Sequence, residues 1–329
     1  MMKVISVSRR TDIPAFYSEW FMNRIRDGYV RWVNPFSRLV HRISLRPEDV
    51  MAFVLWSKNY APLLPHLDEL DARGYRMLFH FTINGLPKAF EPRVPDAMDM
   101  VECARTLSHR YGADAVLWRY DPVLISTITD RQYHLDRFRG LCAALEGSVR
   151  RCYFSFTVFH SKVRNNARAL RNESGIVLQD LPIPGRVEIA NALADVAGEH
   201  GIDMFTCCGD YLLGEKITKA HCTDAVLLHR LYPDRTRRLI EAPTRDGCGC
   251  CECTDIGVYD TCPHGCVYCY ANSRSRVAQL SHERHDPQVD MLGRYIPVSG
   301  KERGPLRKRP GDDQGPVLDL FRRDSEAPR

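Results

Sequence analysis

Residues 255–272 read DIGVYDTCPHGCVYCYAN. A strand-like run, DIGVY (255–259), passes directly into a loop carrying Cys262, Cys266 and Cys269 at C-x3-C-x2-C spacing. Tyr268 precedes the last cysteine and Tyr270 follows it. A loop in this position leaves the C-terminal end of a strand, the end that builds sites in parallel α/β proteins. Three thiolates on one tight loop can hold three irons of a cubane cluster that ordinarily takes four cysteines, leaving the fourth iron open to a small molecule. Structural zinc is the alternative, because thiolates suit either metal. It needs a fourth ligand, which His264 could supply. Gly265 permits close backbone approach within the loop.

Toward the N-terminus, short apolar runs recur: VISVS (4–8), AFVLWS (52–57), MLFHFTI (77–83), AVLWRY (115–120), CYFSFTV (152–158) and DMFTC (203–207). Helical spacing lies between most of them. Phe16, Trp20, Phe21 and Ile25 follow Asp12 and Pro14, a cap and a first-turn proline. Met100, Val101, Ala104, Leu107 and Tyr111 stop at Gly112; Phe138, Leu141, Cys142 and Leu145 stop at Gly147; Ile189, Leu193 and Val196 stop at Gly201. Strand and helix in alternation predict a parallel sheet with helices outside, in the form of a partial or complete (β/α) barrel.

Residues two apart on a strand share a face. That rule groups Ser6, Ser8 and Arg10; Ser57 and Asn59; His80, Thr82 and Asn84; Arg119 and Asp121; Ser155 and Thr157. Each group lies toward the end of its strand, as expected for a polar site at the mouth of a barrel rather than an apolar filling.

The chain has 329 residues, 44% of them hydrophobic, enough for a large core. No apolar run approaches the roughly 18 residues of a membrane span, and the start MMKVISVSRRTDIP is too polar for a signal peptide. A cytoplasmic protein with no membrane partner is expected. The net charge of +5 does not by itself indicate nucleic acid. Residues 1–290 read as the folded body and 299–329, rich in Pro, Gly and charge, as a flexible tail. Of 13 cysteines, ten fall between Cys207 and Cys269, a distribution that favours metal or redox chemistry over disulfides. Cys103 and Cys142 read as small buried apolar residues.

The C-x3-C-x2-C loop with Tyr268 before its last cysteine resembles that of the radical S-adenosylmethionine (radical SAM) superfamily. The strings SRRTDIPAFYSEWFMNRIRDGYV, VNPF, WSKN, WRYDP and DIGVYDTCPHGCVYCYAN resemble the bacterial family called domain of unknown function 1848, whose cysteine cluster is C-terminal. WSKNYAP and HFTINGLP depart from that family's pattern at Tyr60 and His80, among other positions. The resemblance implies a circularly permuted barrel, with the cluster-bearing strand last and beside the first strand. It implies a [4Fe-4S] cluster on Cys262, Cys266 and Cys269, reductive cleavage of S-adenosylmethionine to a 5′-deoxyadenosyl radical, and a flavodoxin or ferredoxin as reductant. Tyr268 would lie against the adenine. Arg9, Arg10, Asp12 and Asn59 are candidates for holding S-adenosylmethionine, with Arg able to form a bidentate fork. Lys58, Arg119 and Asp121 are candidate catalytic residues, the last two equally readable as an ion pair. Asp12 is equally readable as a cap.

Upstream, DGCGCCECTD carries Cys248, Cys250, Cys251 and Cys253, with Cys207, Cys208 and Cys222 further back. The family pattern points to Cys207, Cys222, Cys248 and Cys250 as a second site, either a second [4Fe-4S] cluster or zinc. Cys208, Cys251 and Cys253 read as extras. The rival to an enzyme is a non-catalytic zinc or iron–sulfur protein acting in nucleic-acid binding or redox sensing. The substrate stays open, with a slight lean toward a nucleotide or nucleic acid from the Arg content and 14 Tyr.

Overall fold

The computed structural model describes residues 2–293 apart from 35, 36, 38, 236 and 237; the expected tail, 299–329, lies outside the described residues. Ten strands are assigned: β1 Lys3–Val7, β2 Tyr29–Val33, β3 Val40–Ser44, β4 Val50–Ser57, β5 Met77–Thr82, β6 Val116–Val123, β7 Arg151–Phe156, β8 Asp203–Thr206, β9 Ile217–Lys219 and β10 Thr254–Asp255. The helices are α1 Ile13–Phe16, α2 Ser18–Asp27, α3 Leu67–Ala72, α4 Ala97–Tyr111, α5 Arg131–Leu145, α6 Ser161–Ser174, α7 Ile183–Glu199, α8 Ala225–Leu231 and α9 Ser275–Glu283.

Eight strands form one sheet in the order β10-β1-β4-β5-β6-β7-β8-β9, with every neighbouring pair parallel. The order follows the sequence except that the last strand lies beside the first. Among the described residues β9 and β10 do not pair, so the sheet stays open: of the partial or complete barrel expected, the complete form is not made. β2 and β3 make a separate antiparallel hairpin that the period-2 reading passed over. Its side chains are mostly half-exposed, so no apolar alternation marks it.

The register separates two faces. Ile5, Val7, Phe53, Leu55, Phe79, Phe81, Trp118, Cys152 and Phe154 join the large core with Trp20, Phe21, Val101, Leu107, Phe138, Leu141, Ile189 and Leu193 of the flanking helices. The apolar stripes of α2, α4, α5 and α7 are what cover this face. Asp12 caps α1 by accepting from the Ala15 amide at 3.0 Å, and the chain breaks at Tyr17 before α2, so the expected single helix is two. Gly112 stops α4 at φ 89°, a conformation that an L side chain rarely adopts.

On the other face, Trp56 pairs with His80 and His80 with Leu117, while Thr82 pairs with Arg119 and Arg119 with Tyr153. Val4, Val54, Leu78, Leu117 and Tyr153 pack there against Ala220, Cys222, Leu227, Leu228 and Cys250. The described residues of 220–253, which run from β9 to β10, therefore cover the face that a closed barrel would enclose. Ser57 departs from the sequence grouping: it shares the helix-covered face of Phe53 and Leu55, and Trp56 and Lys58 take the opposite face. The apolar run through β4 gave no alternation from which to choose.

Candidate functional site

The cysteine loop leaves β10 at the C-terminal edge of the sheet and is fastened on all sides. Tyr17 donates to the Thr261 carbonyl at 2.5 Å, Asn272 to the Cys262 carbonyl at 2.7 Å, and the Val267 amide to the Phe90 carbonyl at 3.0 Å. Arg93 donates to the Pro263 carbonyl and to Ser275 Oγ, and a Cβ on Gly265 (φ 76°) would come within 2.7 Å of that guanidinium. The three thiols are half-buried. The His264 amide near Cys262, the Ala271 and Asn272 amides near Cys269 and the Tyr268 hydroxyl near Cys266 each draw the thiol's pKa down. Burial, then the Asp12 carboxylate and the other two thiols, pushes Cys262 well up. Burial with Glu91 nearby pushes Cys266 up to about 12, against the pull of Lys58. N–H and O–H groups placed this way around three thiols of one loop are the environment in which iron–sulfur ligands are held.

The expected site residues fall into two groups. Around the loop, Lys58 Nζ lies 2.7 Å from Glu91 Oε1 and 5.5 Å from the Tyr268 ring centroid. Glu91 also accepts from Tyr268 Oη and, at 3.2 Å, from Asn84 Nδ2. Asn84 bridges onward: its Nδ2 reaches Tyr268 Oη at 3.2 Å and its Oδ1 accepts the Asp121 amide at 2.8 Å. Asp121 pairs with Arg119 and accepts from Ser155 Oγ at 2.5 Å. A cleft of about 260 Å³ opens beside Asn84 and Glu91, lined further by Lys88, Tyr133 and Arg137.

Asp12, a candidate cofactor ligand, is occupied by the chain itself. Its carboxylate accepts from Ser57 Oγ at 2.6 Å, Lys58 N at 2.8 Å and Ala15 N at 3.0 Å, and meets His264 Nε2 at 2.8 Å. It positions the loop against the end of β4. Asn59 closes a local turn, with its Oδ1 taking the Ala61 amide at 3.0 Å. Arg10 lies over Trp32 and Tyr259 and 3.6 Å from Asp255. Arg9 points elsewhere: it donates to Thr223 Oγ1 and lies over Trp56, and the sulfurs of Cys253, Cys250 and Cys222 hold its charge in place against burial.

Those sulfurs belong to the second group. Cys207 Sγ stands 3.6 Å from Cys222 Sγ and 4.0 Å from Cys208 Sγ. Cys222 is coupled electrostatically to Cys250, and Cys248 to both Cys250 and Cys208. The four thiols expected in a second site come together, and Cys208 joins them. Cys251 and Cys253 are outside this ring. Arg245 donates to Cys208 at 2.9 Å and Cys207 at 3.4 Å, and Arg119 to Cys222 at 3.5 Å. The bonds to Cys208 and Cys250 hold the Cys248 thiol far below the usual range. Among the described residues no group of three His, Cys, Asp or Glu side chains already stands in metal-holding geometry.

Sequence reading missed Glu91, Asp255 and Arg245. Glu91 lies in a loop with no periodic signal. Asp255 takes Ser6 Oγ at 2.8 Å, Ser8 Oγ at 2.7 Å and the Arg9 amide at 2.8 Å, binding β10 to β1. A polar residue opening the strand DIGVY was its only mark.

No helix among the described residues is long and apolar enough to cross a membrane. The family model described as domain of unknown function (DUF1848) matches residues 4–271. No curated protein and no solved structure matches the chain.

Proposed function

We propose that the chain, which belongs to the domain of unknown function 1848 family, is a radical S-adenosylmethionine enzyme on a permuted, partial (β/α) barrel. Cys262, Cys266 and Cys269 would hold a [4Fe-4S] cluster. When bound, that cluster and S-adenosylmethionine supply a 5′-deoxyadenosyl radical that abstracts hydrogen from the substrate, with a flavodoxin or ferredoxin as electron source. The observation that carries the reading is the loop itself: three half-buried thiols at the C-terminal end of a parallel sheet, on a loop whose carbonyls are held by Tyr17, Asn272 and Arg93.

The chain's own residues prepare the site. Asp12 and His264 fix the loop against β4. Glu91 holds Lys58 and Tyr268 at one carboxylate, so the ammonium and the phenol have set positions beside Cys266. Asn84 joins that pair to Asp121, at the end of β6. Lys58, Asn84, Asp121 and Ser155, at the ends of β4, β5, β6 and β7, are joined through Glu91 and one another, which suits a polar substrate, and the cleft beside Asn84 and Glu91 gives it an approach. A nucleotide or nucleic acid remains the favoured class. A non-catalytic metal protein would have no use for this convergence of Lys58, Glu91, Asn84 and Asp121 on the loop.

The test is chemical. Anaerobically reconstituted, dithionite-reduced chain should convert S-adenosylmethionine to methionine and 5′-deoxyadenosine, even without substrate. No deoxyadenosine from a fully iron-loaded chain sinks the enzyme reading.

A further inference from the structure

We propose that Cys207, Cys222, Cys248 and Cys250 form a mononuclear tetrathiolate site for zinc, and that this metal staples residues 220–253 over the open face of the sheet. The spacing of the sulfurs carries the assignment. A tetrahedral zinc site with Zn–S of about 2.3 Å has S···S edges of about 3.8 Å. Cys207 and Cys222, 15 residues apart in sequence on segments leaving β8 and β9, already stand at 3.6 Å. Cys250 is close enough to Cys222, and Cys248 to Cys250, for each thiol to shift the other's proton affinity. In a cubane each thiolate binds its own iron and points away from the cube, so four sulfurs are spread far beyond a tetrahedral edge. The 3.6 Å approach of Cys207 to Cys222, with Cys250 and Cys248 beside them, matches one ion in their midst.

Binding replaces four thiol protons with one divalent cation, so the site carries a charge of about −2. The surroundings answer it. Arg245 and Arg119 donate to these sulfurs, and Arg9 is held beside Cys250 and Cys222. Cys208 is the fifth thiol, at φ 54° with Arg245 at 2.9 Å. With the Arg245 guanidinium this close to its sulfur, Cys208 is assigned as a neighbour of the bound sulfurs and not a ligand.

The site has a structural use. Among the described residues β9 and β10 do not pair, and the regular structure between them is α8 and a single 3-10 turn at Pro233–Arg235. So little regular structure gives weak cooperativity by itself, and a metal joining the ends of β8 and β9 to the 248–250 turn contributes folding energy directly. Arg119 then reaches from the Cys222 sulfur to Asp121, so the staple also positions Asp121.

Zinc-edge X-ray absorption on the native full-length chain, with zinc and iron analysis, tests this. The expected result is one zinc per chain with a single shell of about four sulfurs near 2.3 Å and no metal–metal scattering. A chain carrying Cys222→Ala should lose the zinc and keep its iron; one carrying Cys208→Ala should keep both. A chain carrying Cys262→Ala, Cys266→Ala and Cys269→Ala should retain zinc and no iron. Iron retained in that triple variant, or a native chain without zinc, overturns the proposal. Absence of iron from the native chain would count against the radical enzyme alone, leaving the zinc result to stand separately.

Discussion

Asp12 Oδ2 lies 2.8 Å from His264 Nε2, linking the first turn after β1 to a loop 252 residues later. Both side chains are nearly inaccessible, at 6% and 3%. The carboxylate simultaneously caps α1 and holds Ser57 and the Lys58 amide, so one side chain sets the loop, the end of β4 and the start of the helical layer.

Replacing Asp12 by Ala should therefore do more than remove a cap. A lost N-cap costs about 1 kcal/mol, and each buried donor left unsatisfied adds about 1–3 kcal/mol. The expected loss is about 3 kcal/mol or more in urea unfolding of the metal-loaded chain, together with lower iron retention. Asp12→Asn keeps an acceptor oxygen and should recover part of both. An Ala variant with unchanged midpoint and iron content would show that the loop is held by other contacts.

The Cys266→Ala change addresses the loop directly. The thiol sits between Lys58 and Tyr268 and contributes nothing to the large core, so the sheet should remain folded. Iron should fall by about four per chain, and the S-adenosylmethionine-induced change in the reduced cluster's EPR spectrum should vanish. A spectrum like that of the native chain would remove Cys266 from the ligand set.

How far the sequence carried the reading depended on whether a residue acts through local or distant partners. The β/α alternation and the caps are local, and β1, β4 to β8 and the stripes of α4, α5 and α7 were legible. Neighbouring of the last and first strands followed from topology. Closure was not legible, because whether β9 meets β10 is decided by residues 220–253, whose apolar positions are few. Cys207, Cys222, Cys248 and Cys250 were marked by the family pattern, but the 3.6 Å approach of Cys207 to Cys222 could not be read from spacing. Glu91 gave no signal, and Asp255 only that of a polar residue opening a strand, since a carboxylate looks solvated until its partners arrive from elsewhere in the chain. Asp12 and Arg9 were marked by the same string yet serve opposite ends of the site, a divergence fixed by the β1-to-β10 register.

Lys58 and Glu91 form an ion pair with side chains 14% and 3% exposed. Breaking such a pair from one side leaves a charge without its partner, at about 3–5 kcal/mol. Lys58→Met should fall near the lower end, because Asn84 and Tyr268 still donate to Glu91. The double change Lys58→Met with Glu91→Gln should regain at least half of that loss, since no unpaired charge remains. Urea unfolding of the two singles and the double gives the coupling. Strict additivity would mean the pair is not energetically linked.

His285 provides a pH dependence of known sign. Burial, then the charge of His282, lowers its pKa from the ordinary imidazole value to about 4. Its Nε2 has no hydrogen-bond partner, and the ring packs edge-on to Tyr17 at 4.9 Å. The folded state thus holds the ring neutral where an unfolded chain protonates it. Above about pH 6.5 both states are neutral and the residue adds no slope. Between about 6.5 and 4 the unfolded chain binds the extra proton, so stability falls as pH falls, by up to about 1.4 kcal/mol per pH unit. His134, likewise lowered by burial and held between the Leu124 carbonyl at 2.9 Å and Tyr120 Oη at 2.7 Å, steepens the same limb. Urea midpoints at pH 7 and pH 5 should show the loss, and His285→Phe, which keeps the ring contact without a titratable nitrogen, should flatten it. An unaltered slope in that variant would mean that His285 protonates in the folded chain as readily as in the unfolded one.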